Sequence, residues 1–173
     1  MASTLTVDTI VGATSASKVH VPAHVKNVVS TKFEPVFTFA TAAWSNISAS
    51  GQSLSATITP SSTNSKILIF VTVPIIGNDS SSGVGLALKR DSTLIGQGTS
   101  GTSVNSIAVK YSVDVGDYAG TAFHFLDSPS STSSIVYQVA AWASSGTTCY
   151  INRRNGDTYW GAPANITVME IAQ

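Results

Sequence analysis

The chain has 173 residues and a mass of 17.9 kDa, the size of one ordinary domain. Nine cationic side chains balance nine anionic ones, charged residues are only 10% of the total, and Ser plus Thr fill about a quarter. Such a composition offers no electrostatic footprint for nucleic acid and no polybasic segment for an anionic membrane, and its 43% of hydrophobic residues are too many for disorder.

No run of residues approaches the ~18 apolar positions of a membrane span, so no membrane insertion is expected. Met1 to Val11 has neither a basic n-region nor an apolar h-region and does not read as a secretory signal. The single Cys149 has no partner for an intramolecular disulfide, so stability is expected from a core or from assembly.

At the N-terminus, Leu5-Thr6-Val7-Asp8-Thr9-Ile10-Val11 alternates like a strand, Gly12 to Ser17 is a flexible stretch, and Lys18 to Val29 carries five valines around Pro22. Residues 1–30 therefore read as an extended arm, and 31–173 as the domain it serves. A lone strand of this kind needs a partner sheet. Beyond it, apolar and hydroxyl residues alternate with the period of two that marks half-buried strands. Lys32 to Phe39 puts Phe33, Phe37 and Phe39 on one face, with Pro35 suiting an edge. Ser53 to Thr59 alternates through Leu54, Ala56 and Ile58. Lys66 to Val73 (KILIFVTV) begins as a continuous apolar run, which predicts a strand covered on both faces. Val84 to Arg90 follows, then an Asp91-Ser92 turn and the short strand Thr93 to Ile95. Further strands are expected at Ser106–Val113, at Thr121–Leu126 (Phe123 and Phe125 on one face, His124 on the other), at Ser134–Ala143, at Thr148–Asn152 and at Asn165–Ala172. About eight to ten strands at this spacing predict an all-β fold, an antiparallel, jelly-roll-like β-sandwich with an extended N-terminal arm.

Chemical motifs are sparse. Gly96-Gln97-Gly98-Thr99-Ser100-Gly101 fits G-x-G-x-x-G, but the residues after it alternate like a strand and not a helix, so it reads as a loop between strands. His20 and His24 lie about 13 Å apart in an extended segment, too far to share a metal within one chain. Asp114 and Asp117 flank Val115-Gly116 in a turn. Lys89-Arg90-Asp91 reads as a strand end with an exposed charge pair. No catalytic residues, metal or cofactor are expected. The one concentration of charge and aromatics runs from Tyr150 to Gly161. Its Arg153, Arg154, Asp157, Tyr159 and Trp160 form a loop suited either to packing against a neighbouring subunit or to contacting a ligand such as a host glycan.

Several stretches, taken in order, resemble the tail-fibre-like and head-decoration (cement) virion proteins of aquatic tailed bacteriophages. They are Ser3 to Ile10; Ile58-Thr59-Pro60-Ser61-Ser62-Thr63-Asn64-Ser65-Lys66-Ile67-Leu68-Ile69; Leu88 to Gly96; Phe125 to Thr132; Tyr137; Tyr150-Ile151-Asn152-Arg153; and Ile166 to Ile171. The resemblance implies a β-sandwich head, a homotrimer on a virion surface made in the host bacterial cytoplasm, and an N-terminal arm that docks to the particle. Neither sustained heptads nor a G-X-Y repeat supplies a shaft.

The leading expectation is thus a capsid-decorating cement protein bound to the major capsid protein, with Leu5, Val7, Ile10 and Val11 as the docking residues of the arm. The alternative is a receptor-binding tail-fibre knob, docked to a tail or baseplate component and contacting host surface polysaccharide through the loop from Arg153 to Trp160. A polysaccharide hydrolase or lyase is disfavoured because such sites need positioned carboxylates, and only Glu34, Glu170 and scattered Asp residues are present.

Overall fold

The computed structural model describes residues 23–79, 82–101, 104–112, 118–144, 146–154 and 161–173. Among them there is no helix. The strands are β1 (Val25–Phe33), β2 (Phe37–Phe39), β3 (Ser45–Asn46), β4 (Ser48–Ala49), β5 (Gln52–Ser53), β6 (Ser55–Ile58) and β7 (Lys66–Asn78), followed by β8 (Ser82–Arg90), β9 (Thr93–Ile95), β10 (Ala108–Ser112), β11 (Tyr118–Asp127), β12 (Ile135–Ala143), β13 (Cys149–Ile151) and β14 (Ala164–Ile171). Every pairing is antiparallel.

Two sheets carry the fold. In sheet A, β11 pairs along one edge of β7, and β14 and β13 follow one another along the other; β1 pairs with β14 and β2 with β13. In sheet B, β10 and β9 share one edge of β8, β12 lies on its other side, and β6 and β3 share the far edge of β12. Each sheet is therefore four ranks wide, and the chain crosses between them in the order of a jelly roll. The sandwich takes in β1 from Val25 onward, so residues 25–30, read from sequence as arm, are bonded into sheet A.

The inward side chains of both sheets make one core. Ile67, Ile69, Val71 and Val73 of β7, with Phe33, Ile166 and Val168, face Val84, Leu86 and Leu88 of β8 and Tyr137, Val139 and Ala141 of β12. Burial of apolar surface at about 25 cal/mol per Å2 is the main force holding the sheets together. Leu54 and Ile47, both fully buried, close one side of the sandwich. Phe37 and Phe39 stack at 5.2 Å on β2, on the same inward side as Phe33, as their spacing predicts.

Two features of β7 differ from the sequence reading. β7 does not stop at Val73 but runs through Pro74 to Asn78. Proline has no N–H to give. It is tolerated here because β14 pairs only as far as Thr72, β13 begins only at Ile76, and the register with β11 slips between Ala119 and Thr121. The second feature is the outer face of that strand. The apolar run KILIF predicts cover on both sides, yet Phe70 is 42% exposed and Leu68 is half-buried.

At the β8–β9 hairpin the Asp91-Ser92 turn is as expected, with Asp91 in the left-handed region (φ 54°). The neighbouring charges are not an exposed pair. Arg90 reaches both oxygens of the buried Asp127 at 3.1 Å, and Asp91 accepts the Val136 N–H at 2.9 Å.

Candidate docking surface

β1 is the outermost strand of sheet A, and among the described residues nothing pairs with its far edge. Residues 1–22, expected from sequence to form the arm, lead into it. Ala23 donates its N–H to the Ala172 carbonyl at 3.0 Å, and Ala172 donates to the His24 carbonyl at 2.9 Å, so the entry to β1 is fixed beside the end of β14. An edge strand with free N–H and C=O groups is a template for adding a strand from another chain.

The face next to this edge is apolar in a continuous row. Strand registers place Leu126 of β11 opposite Leu68 of β7, Leu68 opposite Met169 of β14, and Met169 opposite Val28 of β1. All four side chains point away from the core. Leu126 is 54% and Val28 51% exposed. Phe70 lies one outward position along β7, its ring 6.2 Å from that of His124, and Val25 lies at the root of the arm. A row of large apolar side chains spanning the full width of a sheet is unlike the scattered exposed residues of an ordinary surface.

Polar groups around this face find hydrogen-bond partners nearby. Lys26 donates to Ser61 Oγ at 2.9 Å, Lys66 to Ser128 Oγ at 2.7 Å, and the Ser30 and Thr167 hydroxyls meet at 2.8 Å. Below the face lies Glu170, 2% exposed. Its Oε1 accepts from the Ser61 N–H (2.8 Å), the Ser61 hydroxyl (2.6 Å) and the Ser65 hydroxyl (2.7 Å). Burial alone would raise this carboxyl, but the three donated bonds outweigh it and hold the group below its ordinary value. A second buried acid, Asp127, ties the sheets together: Tyr137 Oη donates to it at 2.6 Å from sheet B. Burial, reinforced by that bond, pushes the Tyr137 phenol far above its ordinary value.

The residues singled out from sequence fall in two groups. Leu5, Val7, Ile10 and Val11 lie outside the described residues, as do Asp157, Tyr159 and Trp160. Arg153 and Arg154 are described, and each guanidinium lies over a tyrosine whose strand register sets it beside Gly77 of β7. The Arg153 guanidinium rests 4.5 Å from the centroid of Tyr150, whereas that of Arg154 stands 5.8 Å from the centroid of Tyr118. Both are half-buried, and Arg153 is bridged to Gly161 across the loop. Beside them Asn152, 3% exposed with φ 69°, donates to the carbonyls of Phe33 (2.7 Å) and Pro35 (3.0 Å) and so latches the β1–β2 connection. Among the described residues, no group of His, Cys, Asp and Glu is placed to hold a metal ion.

Sequence reasoning missed the row Leu126–Leu68–Met169–Val28 as a surface. Its one signal was the non-alternating run in β7, which says that both faces are apolar but not what covers the second. The chain matches no protein-family model and no curated protein.

Proposed function

We propose that the chain is a structural protein of a bacteriophage virion, a capsid-decorating cement protein that works as a homotrimer and docks to the particle through its N-terminal arm. The observation that carries this reading is the juxtaposition on sheet A of an apolar outer row and an open edge strand rooted to the arm. Between copies of the chain, the row buries Leu126, Leu68, Met169, Val28 and Phe70. Because Val25 and Val28 belong to the strand that continues the arm, a trimer built on this face gathers three arm roots. Each arm then adds its alternating residues, Leu5, Val7, Ile10 and Val11, to an edge of the major capsid protein.

Avidity is the mechanism. Once one arm is bound, the other two bind intramolecularly, which raises overall affinity by about 10²–10⁴-fold without any new contact. Low charge favours such docking, because few ions must be stripped of water. The resemblance of the ordered stretches to phage virion proteins points the same way.

The test compares the full chain with one beginning at Ala23, which keeps β1 whole. Both should sediment as trimers, the full chain near three times 17.9 kDa and the shortened one near three times its own smaller mass, and only the full chain should co-sediment with purified capsids. Undiminished capsid binding by the shortened chain, a monomer in sedimentation, or binding confined to purified tails each overturns the proposal, the last in favour of a receptor-binding fibre.

A further inference from the structure

The outer face of sheet B differs from that of sheet A. The outward positions of β8 are Gly83, Gly85 and Ala87, and register sets Gly85 opposite Trp142 of β12. With no side chain at position 85, the indole of Trp44 reaches across from the segment before β3. A Cβ on Gly85 would stand 3.1 Å from Trp44 Cη2 and 3.7 Å from Cζ3. Ala143 donates its N–H to the Thr41 carbonyl at 3.2 Å, which holds the Trp44 segment against the end of β12.

The facing wall is the loop between β9 and β10, and its described residues are pinned by their own bonds. Gly98 donates to the Ser106 carbonyl at 3.2 Å and Gly101 to Asn105 Oδ1 at 2.9 Å. Gln97 Nε2 donates to the Asn105 carbonyl, and Ile107 donates to Leu86 at 2.9 Å. Between the walls is a cleft of about 310 Å3 lined by Trp44, Trp142, Leu94, Val104, Gln97 and Asn105.

We propose that this cleft is a binding site for a neutral saccharide. A sugar ring has an apolar face of C–H groups and a rim of hydroxyls. The π-face of an indole is apolar and electron-rich, and so attracts the weakly positive C–H face. Hydroxyls both donate and accept; Gln97 Oε1 and Asn105 Nδ2, the amide atoms that the bonds pinning the loop do not use, offer an acceptor and a donor beside the indoles. The lining carries no charge. An anionic sugar would therefore lose its hydration without gaining a counter-ion, and a wholly apolar ligand would strip water from the two amides without replacing it. The cleft volume lies at the lower end of the ~300–1,000 Å3 of ligand pockets and suits a single ring within a longer glycan. Half-burial of both tryptophans leaves their surfaces reachable from solvent. This site stands independently of the docking proposed for sheet A.

The experiment presents the full chain to an array of neutral and acidic oligosaccharides and titrates the neutral binders by calorimetry and tryptophan fluorescence. The expected result is binding of neutral glycans that falls about tenfold or more in Trp44→Ala and in Gln97→Ala, is partly kept in Trp44→Phe, and is unchanged in Arg153→Ala. Gln97→Ala removes no core side chain and costs the loop only its bond to the Asn105 carbonyl, so it preserves the test if Trp44→Ala loosens the sheet edge. The chain lacking residues 1–22 should bind the same glycans, which separates this site from arm docking. Absence of neutral-glycan binding at millimolar saccharide, preference for acidic glycans, or affinity indifferent to both Trp44→Ala and Gln97→Ala overturns the assignment.

Discussion

Glu170 shows how much a single buried oxygen can organise. Three donors from the β6–β7 connection converge on its Oε1, so the carboxylate holds that connection against β14 under the proposed docking face. The pH consequence follows from the direction of the shift. The carboxyl sits below its ordinary value of 4.5 when folded and returns to it when unfolded. Its contribution to stability is therefore complete above about pH 4.5 and is lost as pH falls through the lower, folded value. Thermal unfolding followed between pH 7 and 3 should show wild type losing stability more steeply below pH 4.5 than Glu170→Gln. The Gln variant keeps an acceptor but not its charge, and should be about 1–2 kcal/mol less stable at pH 7. Parallel curves for the two proteins would mean that the acid end of the profile is set elsewhere.

At the scale of elements, the strands were legible wherever one face is buried and the other wet. Thr121 to Leu126 is an example: Phe123 and Phe125 pack inward on Val71 and Ile69 while His124 points out, as alternation alone requires. Legibility ended where cover comes from parts of the chain distant in sequence. The apolar run of β7 looks alike whether its second face is buried or bare. Trp44, Asn105 and Trp142 line one cleft only because the segment before β3 and the β9–β10 loop fold onto the face where register sets Gly85 beside Trp142, which no local pattern announces. The G-x-G-x-x-G stretch was rightly read as a loop, but its role as a wall of that cleft was not visible. Its first glycine has a steric reason. Gly96 has φ +67°, and a Cβ there would lie 2.8 Å from Phe125 Cδ2 and 3.0 Å from Ile107 Cδ1. Gly96→Ala should thus cost about 1–3 kcal/mol from the left-handed backbone alone, with overlap against Phe125 adding to it. Chemical denaturation should register the whole loss, because the hairpin end and the β11 edge pack against one another at this point. A midpoint equal to wild type would show that Phe125 can move aside freely and that the glycine is dispensable.

Across the whole molecule, the two sheets present unlike outer faces, which allows one small sandwich to make two kinds of contact. Sheet A offers an uncharged row of large apolar side chains beside the root of the arm. Sheet B offers a cleft that mixes indoles with amides. If sheet A gathers the copies, a charge placed in its row must separate them without unfolding any one copy. Leu126 and Phe70 are the residues to change, because both are strongly exposed in the single chain and contribute little to its core. Leu126→Asp and Phe70→Lys should each leave the far-ultraviolet dichroism intact and change the stability of an isolated chain by no more than about 0.5 kcal/mol. Buried between copies, either charge would lack both water and a partner, a penalty of several kcal/mol per ion. Sedimentation should therefore move from three chains to one. Capsid affinity should fall by about the 10²–10⁴-fold that linked binding supplies, although the arm itself is unaltered. A variant that remained trimeric would remove sheet A from the subunit contact. A monomer that bound capsids as tightly as wild type would instead show that one arm is enough, and that the apolar row serves some other contact.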